Sequence, residues 1–246
     1  MTLERSYKTN AIVLRARNLG EADKILTLLT DRRGKLDAVA KGIRRGKSHY
    51  GGRLEFGNEC ALTMHRGRSL DVIVSAEIVL EHWMQLVEPE RFAAATFAVE
   101  LVDAFCEPEL AVPEIYALLR GMLGGIASTD RPRALVPRYS MRLLGELGLA
   151  PPMRNCVRCG VALEAPAWLD AQDGGFVGAE CRENWRDLPE FDASELEIVR
   201  ALAAPRGAGA STAAPPRIVA AIEALVSHHL GRRPKSNAHL AEFVQP

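Results

Sequence analysis

Residues 24–43 read KILTLLTDRRGKLDAVAKGI, and this stretch decides the fold. Apolar residues alternate with polar ones on both sides of D-R-R-G, the pattern of two half-buried strands joined by a tight turn. Gly34 stands where such a turn calls for positive φ. Working outward, residues 10–17 (NAIVLRAR) supply a preceding strand, while residues 59–65 (ECALTMH) and 70–78 (LDVIVSAEI) form a second pair around R-G-R-S. Gly67 is expected to take positive φ there as well. Five short strands within about seventy residues are too few for a sandwich, so closure into a small OB-type barrel is the expected solution.

Beyond Val87-Glu88-Pro89 the apolar period changes from two to about 3.6 residues. RFAAATFAVELVDAFC predicts a helix with Phe92, Ala95, Val99, Val102, Phe105 and Cys106 on one stripe and Pro89 in its first turn. PEIYALLRGMLGGIAS and VPRYSMRLLGELGL predict two more, the three packing around a common apolar centre. After Pro151-Pro152 the chain is rich in Gly, Pro, Cys and Asp and lacks periodicity. Helix resumes at Asp192, where D-A-S-E spells a capping box with Glu195. APRGAGASTAAPP reads as a flexible linker before the last helix, and the polar tail beyond Gly231 reads as mobile. The expected architecture is multidomain α+β: a barrel over 1–80, helices over 81–150, an insertion over 151–190, and helix with tail over 191–246.

The chain is formally neutral, with 31 residues of each sign, but the balance is uneven. Through Glu77 there are fifteen basic residues against nine acidic ones, a surplus that the remainder cancels. A basic barrel points to a polyanion. The densest run is K-G-I-R-R-G-K, with Lys41, Arg44, Arg45 and Lys47, flanked in sequence by Arg32, Arg33 and Lys35. Guanidinium groups fork onto phosphate oxygens and ammonium groups add point charge, giving affinity with little sequence preference. The competing reading is solubilising charge on exposed hairpins. Aromatics are scarce in this segment; Tyr50, at the end of the loop, is the expected base-stacking side chain, and Phe56 is assigned to the core.

Other chemistries lack their signatures. No P-loop, G-x-S-x-G elbow, H-E-x-x-H or H-x-E deaminase element occurs, and the acidic residues are scattered, so no enzymatic activity is expected. The N-terminus lacks an apolar signal core and no apolar run approaches the roughly 20 residues of a membrane span, so the cytoplasm is the expected location. Cys156-Val-Arg-Cys159-Gly, with Gly174-Gly175 and Cys181 downstream, has the form of a zinc knuckle. The residue that would complete a second C-x2-C is Asn184. The set therefore reads either as one zinc on Cys156, Cys159 and Cys181, completed by water, Asp173, Glu183 or a distant His, or as three thiols left from a lost site.

K-T-N-A-I-V-L-R at 8–15, the block from Gly20 through Arg45, and C-V-R-C-G with Gly-Gly and Cys181 resemble, in that order, the bacterial RecO recombination mediators. The resemblance implies an N-terminal OB barrel, a helical domain and an embedded zinc-ribbon-like insertion. It implies binding of single- and double-stranded DNA, annealing of complementary strands, and cooperation with RecR in loading RecA on DNA coated by single-strand binding protein (SSB), at the nucleoid. Carried onto this chain, the DNA surface is Lys24, Arg32, Arg33, Lys35, Lys41, Arg44, Arg45 and Lys47. A pocket for the acidic SSB tail would lie in the helical domain, with Arg133, Arg138 and Arg142 nearby. Family members with zinc usually show four cysteines, so Asn184 is a departure. An RNA-binding or ribosome-associated OB protein is the alternative, and a nucleic-acid hydrolase a third class.

Overall fold

The structure, a computed structural model, describes residues 5–46, 48–183, 186–205 and 214–242. The chain divides into two compact units, residues 1–133 with 238–246, and residues 134–237.

The first unit begins with β1 (Ser6–Leu19), β2 (Asp23–Thr30), β3 (Gly34–Ala40), β4 (Glu59–His65) and β5 (Asp71–Leu80). They form an OB-type barrel in the order β1-β2-β3-β5-β4. The neighbouring antiparallel pairs run along most of their strands. The seam between β3 and β5 is parallel and rests on Ala38–Asp71 and Val39–Val72 alone. Alternation puts Val13, Leu26, Leu28, Ala38, Leu62 and Met64 inside, where they form the barrel core. Tyr50 joins them. It is 1% exposed and its hydroxyl donates to the Ile73 carbonyl at 2.7 Å, which corrects the expectation that it stacks on bases.

The two turn glycines have different reasons for being glycine. Gly34 has φ 67° as expected, and a Cβ there would also stand 1.8 Å from the Leu110 carbonyl oxygen. Gly67 lacks positive φ; a Cβ would meet the Leu70 carbonyl oxygen at 1.8 Å, so close approach within the turn demands it.

After a short α1 (Trp83–Leu86), α2 (Pro89–Phe105) and α3 (Pro113–Ser128) pack on each other, α2 also touching β1 and α3 touching β2. This explains why Ile12, Leu14 and Leu29, which alternation turns away from the barrel interior, are buried. The Glu88 carboxylate caps α2 by accepting from the amides of Glu90 and Arg91, with Pro89 beginning the helix. The expected single stripe on α2 is corrected: burial extends over Ala93, Ala94, Ala95, Phe97, Ala98, Val99, Leu101 and Val102, whereas Phe92 is 43% exposed beside Phe56. Buried Glu59 ties β4 to α3 by accepting from Tyr116 Oη and Arg120 Nε, each at 2.6 Å.

In the second unit α4 (Val136–Glu146) packs on α5 (Ala193–Ala203) and α6 (Pro216–Leu230). The third expected helix thus finds partners among later ones. The capping box at Asp192 and Glu195 is present. Between α4 and α5 lies a small sheet in the order β7-β6-β8, from β6 (Ala167–Asp170), β7 (Gly175–Val177) and β8 (Glu190–Phe191). The expected linker falls largely on residues 206–213, outside the described residues. The tail read as mobile contains α7 (Asn237–Ala241), in which Leu240 is buried. No described helix is long and apolar enough to cross a membrane.

Candidate nucleic-acid interface

The hairpin of β2 and β3 positions the expected basic residues, and its register separates them. Lys24 pairs with Ala40 at one end, and Thr30 with Gly34 at the other. At about 3.4 Å per residue the ends lie roughly 20 Å apart. The seven described residues of the eight named from sequence therefore form two groups rather than one patch.

At the first end stand Lys24, Lys41, Arg44 and Arg45; Lys47 lies outside the described residues. Lys41, Arg44 and Arg45 are exposed and Lys24 half-buried. The loop is folded back onto the turn between β1 and β2. The Gly42 amide donates to Asp23 Oδ1 at 2.7 Å, the Arg44 amide to the Ala22 carbonyl at 3.0 Å, and Arg44 Nη1 to the Gly20 carbonyl at 3.2 Å. Among the described residues none of these four cations has a carboxylate ion-pair partner. They present charge to solvent from a braced backbone.

The second end holds Arg32, Arg33 and Lys35. Arg32 is 80% exposed and 3.8 Å from Asp31. Arg33 is 3.8 Å from Asp71 and lies over the Tyr7 ring, 4.4 Å from its centroid. Lys35 is engaged by α2: its ammonium is 3.3 Å from Asp103 Oδ1 and donates to the Asp103 carbonyl, and only 14% of its side chain is exposed. Strand alternation turns Lys35 outward, but α2 covers that face. Between the ends, Asp37 accepts from Thr27 Oγ1 at 2.6 Å and pairs with Arg17 at 3.1 Å, leaving the middle of the hairpin locally balanced. Sequence reading counted Arg15, Arg17, Arg66 and Arg68 as basic but gave them no site, although all four flank this face. The R-G-R-S turn before β5 was the available signal for Arg66 and Arg68, whereas Arg15 and Arg17 are aimed by a bulge at Leu14 that alternation does not encode.

The sulfur atoms of Cys156, Cys159 and Cys181 all lie within 4.8 Å of one another. Cys156 is buried, Cys159 exposed and Cys181 intermediate. Burial pushes the Cys156 thiol up, but the amides of Gly178, Cys159 and Arg158 and the Cys159 thiol outweigh it, bringing it down to about 7. Neighbouring Cys159 and then Cys156 push Cys181 up to about 11. Arg158, inside the knuckle, bridges to Cys181 by donating to its carbonyl at 2.7 Å. The same guanidinium meets Asp173 at 2.5 Å, Asp170 at 3.0 Å and Glu183 at 3.5 Å. Asp170, 1% exposed, also pairs with Arg186.

A family model described as Recombination protein O N terminal matches residues 1–81, and one described as Recombination protein O C terminal matches residues 87–238. The chain belongs to the RecO family. A DNA repair protein RecO from a Nocardioides species is 38% identical over 181 residues, covering 72% of this chain and 74% of its own. One from Bifidobacterium longum is 40% identical over 174 residues, covering 70% of this chain and 72% of its own. This chain is thus a DNA repair protein of the RecO type.

In this RecO chain three close cysteines offer a metal three thiolate corners, and the donor set fits that much of a tetrahedral site. Asp173 and Glu183, the nearby acids expected as a fourth ligand, are held by Arg158, and Asn184 lies outside the described residues. Of the arginines considered for an SSB tail, Arg138 is already used: it donates to the carbonyls of Ala201, Ala204 and Pro205 and closes the C-terminal end of α5. Arg142 reaches Glu146 at 3.7 Å. Arg133 lies in a short 3-10 turn, Pro132–Leu135.

Proposed function

We propose that this RecO-family protein is a DNA-binding mediator that neutralises phosphates on single- and double-stranded DNA and brings complementary strands together, with no bond-making step of its own. The observation that supports this is the braced loop end of the hairpin, where Lys24, Lys41, Arg44 and Arg45 carry charge without carboxylate partners among the described residues. Side chains held open in this way exchange counterions for phosphates at little ordering cost. Base stacking contributes less, because Tyr50, the tyrosine at the end of the loop, is inside the barrel. RecR, the SSB tail and, through them, RecA are the partners in this reading, which for them rests on family resemblance. One zinc at most is held, by Cys156, Cys159 and Cys181, where it fixes the insertion.

Strand annealing followed against salt tests the reading. Binding and annealing weaken by at least about tenfold between about 50 and 200 mM salt, and Arg44→Glu with Arg45→Glu lowers affinity equally on unrelated sequences. Salt-independent binding, or loss confined to one sequence, removes the phosphate mechanism.

A further inference from the structure

The second end of the hairpin opens onto a cleft of about 510 Å3 lined by five cations, Arg15, Arg33, Lys35, Arg66 and Arg68, and by the carboxylates of Asp37, Asp71 and Glu109. Its cationic part is built rather than incidental. Asp71 accepts from Tyr7 Oη at 2.5 Å and from the Gly67 amide at 3.1 Å. That carboxylate locks the turn before β5, and the tightness of the turn at Gly67 sets Arg66 and Arg68 on either side of it. Arg33 and Arg66 lie over the Tyr7 ring, 4.4 and 5.4 Å from its centroid. One guanidinium nitrogen of Arg33, Nη1, is buried without a hydrogen-bond acceptor. Arg66 and Arg68 are exposed and have no carboxylate partner among the described residues.

These features define the ligand by exclusion. The ring of Tyr7 is taken up by guanidinium groups and its hydroxyl by Asp71, so no aromatic face is left for a base. The lining is polar, so an apolar ligand gains little. Exposed guanidinium groups around a nucleotide-sized opening fit a phosphodiester. Asp37, which lines the cleft on its side toward the loop end, pairs with Arg17 at 3.1 Å and breaks the positive surface there.

We infer that the cleft is a second phosphate site, which holds the backbone of one nucleic-acid strand while another lies on the loop end. The inference rests on the DNA-binding reading and deepens it: one barrel grips two strands at opposite ends of one hairpin.

The test uses the full chain and two non-complementary single strands, one carrying an energy-transfer donor and the other an acceptor. Sedimentation fixes the number of chains per complex. The parent protein gives energy transfer in complexes containing one chain. Arg66→Ala with Arg68→Ala lowers that transfer at least about fivefold, and lowers affinity for a single strand less than Arg44→Ala with Arg45→Ala does. All four residues are exposed, so circular dichroism and Tm serve as folding controls. Undiminished transfer in the cleft variant, transfer only in complexes of two chains, or equal loss of single-strand affinity in both variants overturns the second site and leaves DNA binding standing. If neither variant weakens any binding, the DNA surface itself is wrong and both readings fall.

Discussion

Tyr7 shows how much one side chain can be asked to hold. Its phenol is pushed up to about 12, first by burial, then by the hydrogen bond to Asp71 and the charge of that carboxylate, against the opposing pull of Arg33 and Arg66. Because the folded value lies above the ordinary 10.0, the neutral phenol stabilises the fold fully below about pH 10. That contribution is lost as pH climbs toward 12. Tyr7→Phe should therefore flatten the fall in stability over this alkaline range, measured by urea unfolding at successive pH values; an unchanged pH profile would show that Tyr7 is not the group responsible. At this scale the sequence was readable where geometry is local. Gly34 was legible because a tight hairpin turn limits its residue type, but the Leu110 carbonyl beside it was not, since seventy-five residues of chain intervene. Tyr50 misled for the same reason, and the contact of Lys35 with Asp103 was equally hidden. What covers an outward lysine, or draws a loop tyrosine inward, is a long-range contact that alternation does not encode.

Elements obeyed their patterns better than single residues did. Period-two alternation fixed five strands and their inward residues, and the capping box fixed the start of α5. The helix α2 was harder to read, because a helix buried on most sides leaves no polar stripe to orient it. The cysteine-bearing insertion lacks periodicity, and its organisation becomes clear only from Asp170. That buried carboxylate gathers Arg158 and Arg186, and Arg158 in turn carries Cys181 to the knuckle. Asp170→Asn leaves two guanidinium groups facing a neutral amide, at a cost of about 3 kcal/mol. Limited proteolysis should then cut preferentially within residues 151–191 while β1 to β5 stay protected. If cleavage is unchanged, the thiols or an ion bound by them hold the insertion instead.

Across the whole molecule, zero net charge hides a division that falls inside the first unit. Residues 78–133 carry nine acidic residues against four basic ones, whereas residues 134–246 are nearly balanced. The negative charge that offsets the barrel therefore belongs chiefly to the segment bearing α2 and α3. Two of its acids meet the barrel's expected surface or its neighbourhood: Asp103 holds Lys35, and Asp103 also lies 3.4 Å from Arg15; Glu109 lines the cleft. Composition alone located the basic half but could not locate where its counter-charge is stationed.

The barrel is completed by a parallel seam of only Ala38–Asp71 and Val39–Val72. A ring fastened at one narrow clasp loosens there before it loosens anywhere else, since fewer cross-strand amides must let go together. In heavy water, deuterium should enter the backbone around Val39 and Val72 well ahead of the β1–β2 rungs. Uniform uptake around the hoop would mean that the clasp is as firm as the rest.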